Sequence, residues 1–228
     1  PTSRPGRVRP YRCRDARSFS AAYAAESEVS DALPFELMDA VPLPPAPENL
    51  GMSEEEYRWY TDYGNDERIA AYGREIVDGL EGYWDRVQAV YERLKYGEYR
   101  YSLKPGIAAD GDQLGRFLFD SKRGYCSYFA FSMALLLRSQ GIPARVAVGF
   151  FLDPQTEALG YYPVRSDMAH AWVEVPYPGY GWVEYDPTTD VLAEGEDLRF
   201  TRGVPQDLFE RLMREILQNR NRLLPKEG

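Results

Sequence analysis

Residues 124–145 read GYCSYFAFSMALLLRSQGIPAR. From Cys126 to Gln140, apolar side chains recur on nearly every side of a helix: Tyr128, Phe129, Phe131, Met133, Leu135, Leu136 and Leu137. An amphipathic helix needs cover on one face, whereas a helix that is apolar all round is stable only in the middle of a domain. A membrane span takes about 20 consecutive apolar residues, and no run in this chain reaches that length. The segment is therefore expected to be a central helix, ended by a left-handed cap at Gly141 and by Pro143, which cannot continue it. The rest of the chain has to supply its cover.

Cover is legible on both sides of it. Residues 69–94 repeat apolar positions at three- and four-residue steps (Ile69, Tyr72, Ile76, Leu80, Tyr83, Val87, Val90, Leu94), a helical period. Gly73, Gly79 and Gly82 are expected to break it into two helices. Residues 96–103 read as a short strand, 105–111 as a loop and 113–119 as a short helix. Strands are expected at 145–152, 161–164, 170–175 and 181–185, linked by Pro/Gly turns. The globular domain is expected over residues 53–200, opening at Ser53 with Glu54–Glu56 as a helix start. Residues 1–52 read as an extended arm, basic at first and then proline-rich. Residues 201–228 read as a closing amphipathic helix with Leu208, Leu212, Ile216 and Leu223 on one side.

A formal net charge of -9 argues against nucleic acid as a partner, because phosphate binding requires clustered cations. Cys13 and Cys126 are too few for a disulfide framework, and a bridge between them would consume Cys126. With one histidine in the chain, a zinc site is not expected either. Because the first residue is Pro1, the chain is expected to be a piece of a longer protein or a processed product.

Cys126 stands where the apolar helix begins. A helix N-terminus lowers a thiol pKa through its orphan N–H groups and its dipole. It also places the Cys126 backbone N–H where an oxyanion would develop, and Gly124 permits close backbone approach just before. A buried structural cysteine is the competing reading. The only histidine lies in HAWVEV-PYPGY-GWVEYDPT. If these two alternating runs form a hairpin with Val175 opposite Gly181, then Glu174 faces Trp182, Trp172 faces Glu184 and His170 faces Asp186. All three pairs share one side of the sheet. Directly opposed residues hold their Cβ atoms roughly 4.5 to 5.5 Å apart, close enough for an imidazole to bond a carboxylate and leave its other nitrogen for a thiol. Cys126, His170 and Asp186 would then be nucleophile, base and orienter for acyl transfer through a thioester.

The segments GYCSYFAFSMALLLRSQGIPARVAVGF, HAWVEV and GWVEYDPT resemble the transglutaminase-like superfamily of papain-type cysteine enzymes, and in particular bacterial transglutaminase-like domains of membrane-anchored proteins; FLFDSKRGYC and RSDMAHAWVEV carry part of that likeness. The likeness covers about residues 94–192, the core of the domain, and implies an α+β fold with a cysteine-bearing helix packed on an antiparallel sheet, an extracytoplasmic setting, and a protein or peptide substrate. It fills the three catalytic positions with Cys126, His170 and Asp186. A side-chain donor to the oxyanion is also implied, for which Tyr101 is the candidate, with a core tyrosine as the alternative. Trp172 is a candidate wall of the substrate cleft, or ordinary packing. The superfamily's eukaryotic enzymes depend on calcium, but no EF-hand-like loop is present, and the acidic run at residues 194–197 reads as a solvated loop. No cofactor or metal is expected. Three functions remain open at this point: an acyltransferase, a cysteine protease, and a binding module that keeps the fold without turnover.

Overall fold

The computed structural model describes residues 5–12, 21–27, 32–38, 45–152, 161–164 and 168–196, together with residues 30, 155 and 157. They fall into two compact units. The smaller contains β1 (Pro5–Arg12) and β2 (Ala21–Ser27), an antiparallel pair in which Arg12 is opposite Ala21 and Val8 opposite Ala25. The sequence reading placed no strand here, since the arginine-, proline- and alanine-rich text lacks the alternation of a half-buried strand. Backbone pairing holds this ladder despite that weak propensity.

The larger unit begins with α1 (Pro34–Leu37), and its Leu37 is part of the core. A 3-10 turn, Pro47–Leu50, leads to α2 (Glu54–Tyr60). Ser53 caps α2 reciprocally: its hydroxyl accepts from the Glu56 N–H, and the Glu56 carboxylate accepts from the Ser53 N–H at 2.9 Å. The long periodic stretch divides into α3 (Glu67–Ile76) and α4 (Tyr83–Lys95), with Gly79 between them at φ +72°, where a side chain would be strained.

After α4 come β3 (Arg100–Tyr101), α5 (Gln113–Gly115) with a π-helical turn (Arg116–Ser121), and β4 (Arg123–Gly124). Then follow α6 (Cys126–Ser139), β5 (Arg145–Phe150), β6 (Ala169–Tyr177) and β7 (Gly181–Tyr185). Strands β5, β6 and β7 form one sheet in that order, with β6 and β7 antiparallel. The strand expected at 161–164 does not form: Tyr161 makes an isolated bridge and 162–164 no ladder. Pro163 lacks the N–H a ladder requires. The closing helix expected at 201–228 lies outside the described residues, as does Cys13.

Helix α6 packs against α3 and α4. Phe129, Ala130, Met133, Leu136 and Leu137 are buried in one cluster with Val87, Val90 and Leu94 of α4 and Ala171, Val173 and Val175 of β6. Phe131 is the exception, 50% exposed. The cover expected for an apolar helix is thus helices on one side and a sheet on the other, an α+β arrangement.

The hairpin closes more tightly than expected. Tyr177 pairs with Gly181, Val175 with Val183 and Val173 with Tyr185, two positions beyond the anticipated pairing. The five-residue turn PYPGY is in fact three residues, because Pro176 and Tyr177 continue β6. Gly179 at φ +80° and Gly181 at φ +71° make the tight reversal, and the Tyr180 N–H donates to the Tyr177 carbonyl at 3.1 Å. The Tyr83 hydroxyl donates to the Pro176 carbonyl at 3.0 Å, fixing the end of β6 to α4. A shift of two leaves every side chain on its expected face, since the pleat repeats every two residues.

Gly124 sets how α6 begins. A Cβ there would sit 2.7 Å from the Tyr128 Cβ and 2.9 Å from the Phe117 ring. Neither neighbour is a free side-chain end. Gly124→Ala is therefore expected to cost about 1–3 kcal/mol, the range for overpacking, measured as a lower midpoint in urea unfolding at unchanged slope.

Candidate active site

The residues before α6 and after β7 meet at Tyr101. On one flank of β3, Tyr101 pairs with Gly124 in a parallel bridge, and the Ser102 N–H donates to the Gly124 carbonyl at 2.8 Å. On the other flank the Tyr101 N–H donates to the Val191 carbonyl at 2.8 Å, and the Ala193 N–H donates to the Tyr101 carbonyl at 2.9 Å. The buried Ser102 hydroxyl donates to the Glu196 carboxylate, tying the same segment down again. One short strand thereby joins the lead-in to Cys126 to the chain that follows Asp186.

His170 of β6 and Asp186, the residue just after β7, share the outward face. In the observed register Asp186 lies two residues along from the position opposite His170, a diagonal neighbour still within reach of long side chains. The ring Nε2 of His170 is 2.8 Å from Asp186 Oδ2. Asp186 Oδ1 accepts the Thr188 N–H at 3.0 Å, an Asx turn for which Pro187 presets the backbone. That turn was not anticipated, although its signal, Asp-Pro-Thr, stands in the sequence. With Nε2 engaged, Nδ1 is the nitrogen left for Cys126, whose thiol lies in hydrogen-bonding reach of the imidazole and of the Ala171 backbone N–H. Cys126 is a free thiol, half-buried, at the first position of α6. Tyr125, the residue before it, offers no side-chain cap, and its carbonyl accepts the Tyr128 N–H at 2.8 Å.

The electrostatics follow from these contacts. Burial raises the Cys126 thiol pKa, but the hydrogen bond to His170 and the Ala171 N–H outweigh it, and the net shift is downward. The bond to Asp186, seconded by Cys126, raises the His170 imidazole to about 9 against the opposing effect of burial. Burial of Asp186 is outweighed by the bonds from His170 and Thr188, so its carboxyl is lowered. Both shifts favour the same arrangement, with the proton on the ring and the sulfur as thiolate. His170 is raised, so its pairing stabilises the folded state fully below 6.5 and is lost as pH rises through about 9. Asp186 is lowered, so its contribution is present above the ordinary carboxyl range and is lost as pH falls through the lowered value.

Tyr101 is half-buried, and its hydroxyl is pushed up to about 12, first by burial and then by the charges on Cys126 and Asp186. It therefore stays protonated as a donor. The Trp172 ring lies near-parallel to His170, 19° between planes and 6.5 Å between centroids. Gly149 lies beneath it, where a Cβ would come within 2.9 Å of the indole. Glu174, expected on the open face, is 5% exposed and is neutralised by the Arg145 guanidinium, which also lies 4.0 Å over the Trp182 ring. Among the described residues no group of His, Cys, Asp or Glu side chains could hold a metal ion.

Residues 70–187 match the family model of the transglutaminase-like superfamily, more than half of the chain, and the chain belongs to that superfamily. Among curated relatives, a protein-glutamine gamma-glutamyltransferase of Pseudomonas aeruginosa is 39% identical over 122 residues, 54% of this chain and 18% of the relative. An uncharacterized protein of Bacillus subtilis, YebA, is 35% identical over 128 residues, 54% of this chain and 17% of its own length. The chain thus spans less than a fifth of either relative. Among solved structures, the periplasmic domain of TgpA from Pseudomonas aeruginosa, bound to ethylmercury, superposes with a TM-score of 0.52 at 31% identity, covering 60% of this chain and 50% of that one.

Alkylation by iodoacetamide reads the thiolate directly. Cys126 is expected to react with a midpoint below the roughly 8.5 of an ordinary cysteine. Asp186→Asn should move that midpoint upward by about one unit or more, the size of a lost charge partner, followed by peptide mass spectrometry across pH.

Proposed function

We propose that this chain is a cysteine-dependent acyltransferase domain acting on protein or peptide carboxamides, with Cys126 as nucleophile, His170 as acid and base, and Asp186 as orienter. The observation that carries it is the single imidazole held at 2.8 Å by a carboxylate and interacting with a thiol at a helix N-terminus. The Cys126 thiolate attacks the amide carbonyl carbon, and the carbonyl electron pair moves onto oxygen. The Cys126 backbone N–H and the Tyr101 hydroxyl are the donors suited to that oxyanion. The tetrahedral intermediate collapses, the C–N bond breaks, and the His170 imidazolium protonates the departing amine. A thioester on Cys126 remains. His170, now neutral, takes a proton from the incoming amine or water as it attacks, and the thiolate leaves. An amine acceptor gives a new amide; water gives an acid. Trp172 walls the side of the cleft that holds the ring.

Two features of the relatives support this reading. One is named a protein-glutamine gamma-glutamyltransferase, and the structural neighbour is a periplasmic domain. We place this domain likewise outside the cytoplasm, in a membrane-anchored parent. Among the described residues no helix is long and apolar enough to cross a membrane.

The test is incubation with a labelled primary amine and a glutamine-containing protein, beside a peptide-cleavage assay. Wild type is expected to incorporate amine or release acid. Cys126→Ala should lose at least about 10⁴-fold in turnover with an unaltered circular dichroism spectrum. Product from the alanine protein at an undiminished rate removes Cys126 as nucleophile; cleavage without amine incorporation reassigns the domain as a protease.

A further inference from the structure

The imidazole orients on Asp186, and Asp186 is in turn held by the turn that follows it. Its Oδ1 accepts the Thr188 N–H at 3.0 Å, and Thr188 and Thr189 are both buried. What anchors that turn is a cation from another element. The Lys95 ammonium, 15% exposed in the last turn of α4, donates to the Thr188 carbonyl at 2.5 Å and lies 3.4 Å from the exposed Asp190 carboxylate. A lysine so covered is uncommon, because long cationic side chains normally keep their heads in water. Only the carbonyl bond and one surface carboxylate compensate it.

Lys95 does not stand alone on that face. Tyr91, one helical turn earlier, meets the Tyr185 ring edge-on at 5.8 Å and is within electrostatic reach of Asp186. The C-terminal half of α4 is therefore applied to the end of β7 and to the residues just beyond it. Among the described residues, the titratable groups that sense Asp186 are His170 of β6, Tyr101 of β3 and Tyr91 of α4. Lys95 bears on it through the backbone of Thr188.

We infer that Lys95 is a positioning residue for the proposed reaction: by clamping the Thr188 carbonyl it fixes the Asx turn that aims Asp186 at His170. This inference rests on the reading of Cys126, His170 and Asp186 given above. Freed from the clamp, the turn lets the carboxylate swing away, the ring loses its orienter, and the proton returns to sulfur. A displacement of about 1 Å at a reacting group is worth on the order of a hundredfold in rate.

The test is the pH profile of Cys126 alkylation, resolved from Cys13 by peptide mass spectrometry. It compares wild type, Lys95→Met, the milder Lys95→Gln, Lys95→Arg and the control Arg93→Ala. Arg93 occupies the same helix end and contacts Tyr72 and Glu75 instead. Expected is an upward midpoint shift of about one unit in Lys95→Met, a smaller one in Lys95→Gln, recovery in Lys95→Arg, and a wild-type midpoint in Arg93→Ala. Amine incorporation should fall roughly tenfold to a hundredfold in Lys95→Met and return with arginine. A depressed wild-type midpoint that both Lys95→Met and Lys95→Gln leave in place overturns the inference alone. An equal shift in Arg93→Ala overturns it too, by making the effect a general loosening of α4. A wild-type profile no different from that of a free cysteine peptide overturns both the inference and the reading beneath it.

Discussion

A helix without a polar face has to be covered on every side, and that constraint organises this molecule. The burial of α6 calls for α3 and α4 against part of its surface and for the inward residues of β6 against another. Each fully buried leucine or phenylalanine contributes about 1.5–3 kcal/mol relative to exposure, so the helix is the largest single claim on the core. Because it is held so firmly, its first turn is a fixed point. The thiol at its end inherits that fixed position.

Two kinds of interaction meet at the site. The packing beneath is apolar and non-directional. The layer above it is directional: Asp186 takes one bond from the ring and one from its own turn, and the ring interacts with the sulfur besides. Those bonds outweigh the cost of burial for both Cys126 and Asp186. The same balance appears away from the thiol, where Glu174 is buried only because Arg145 reaches it across the sheet and lies on Trp182.

Much of this was legible in the chain because the relevant signals are periodic. The three- and four-residue steps from Ile69 to Leu94 mark α3 and α4, and the alternation in HAWVEV and GWVEY marks β6 and β7. Parity made the pairing of His170 with Asp186 readable even though the register moved by two, because a shift of two keeps both on one face. The turn length was not readable. PYPGY offers two prolines and a glycine, and nothing local says that Pro176 stays in the strand; the hydrogen bond from Tyr83, distant in sequence, decides that. The burial of Glu174 escaped for the same reason, since its partner Arg145 lies on another strand. The pair β1 and β2 carries no hydrophobic alternation at all, and Pro163 defeated the strand expected around it.

The two-residue strand at Tyr101 has its own consequence. It bonds on one flank to the stretch that leads into the sulfur and on the other to the stretch that trails the carboxylate, so one segment of backbone sets the position of both. Under the proposed chemistry, a partly assembled chain has no poised nucleophile, because the contacts that do most to lower the Cys126 thiol pKa come from β6 and exist only once that distant strand is docked. A nascent or damaged copy then carries an ordinary, sluggish thiol in place of an indiscriminate one.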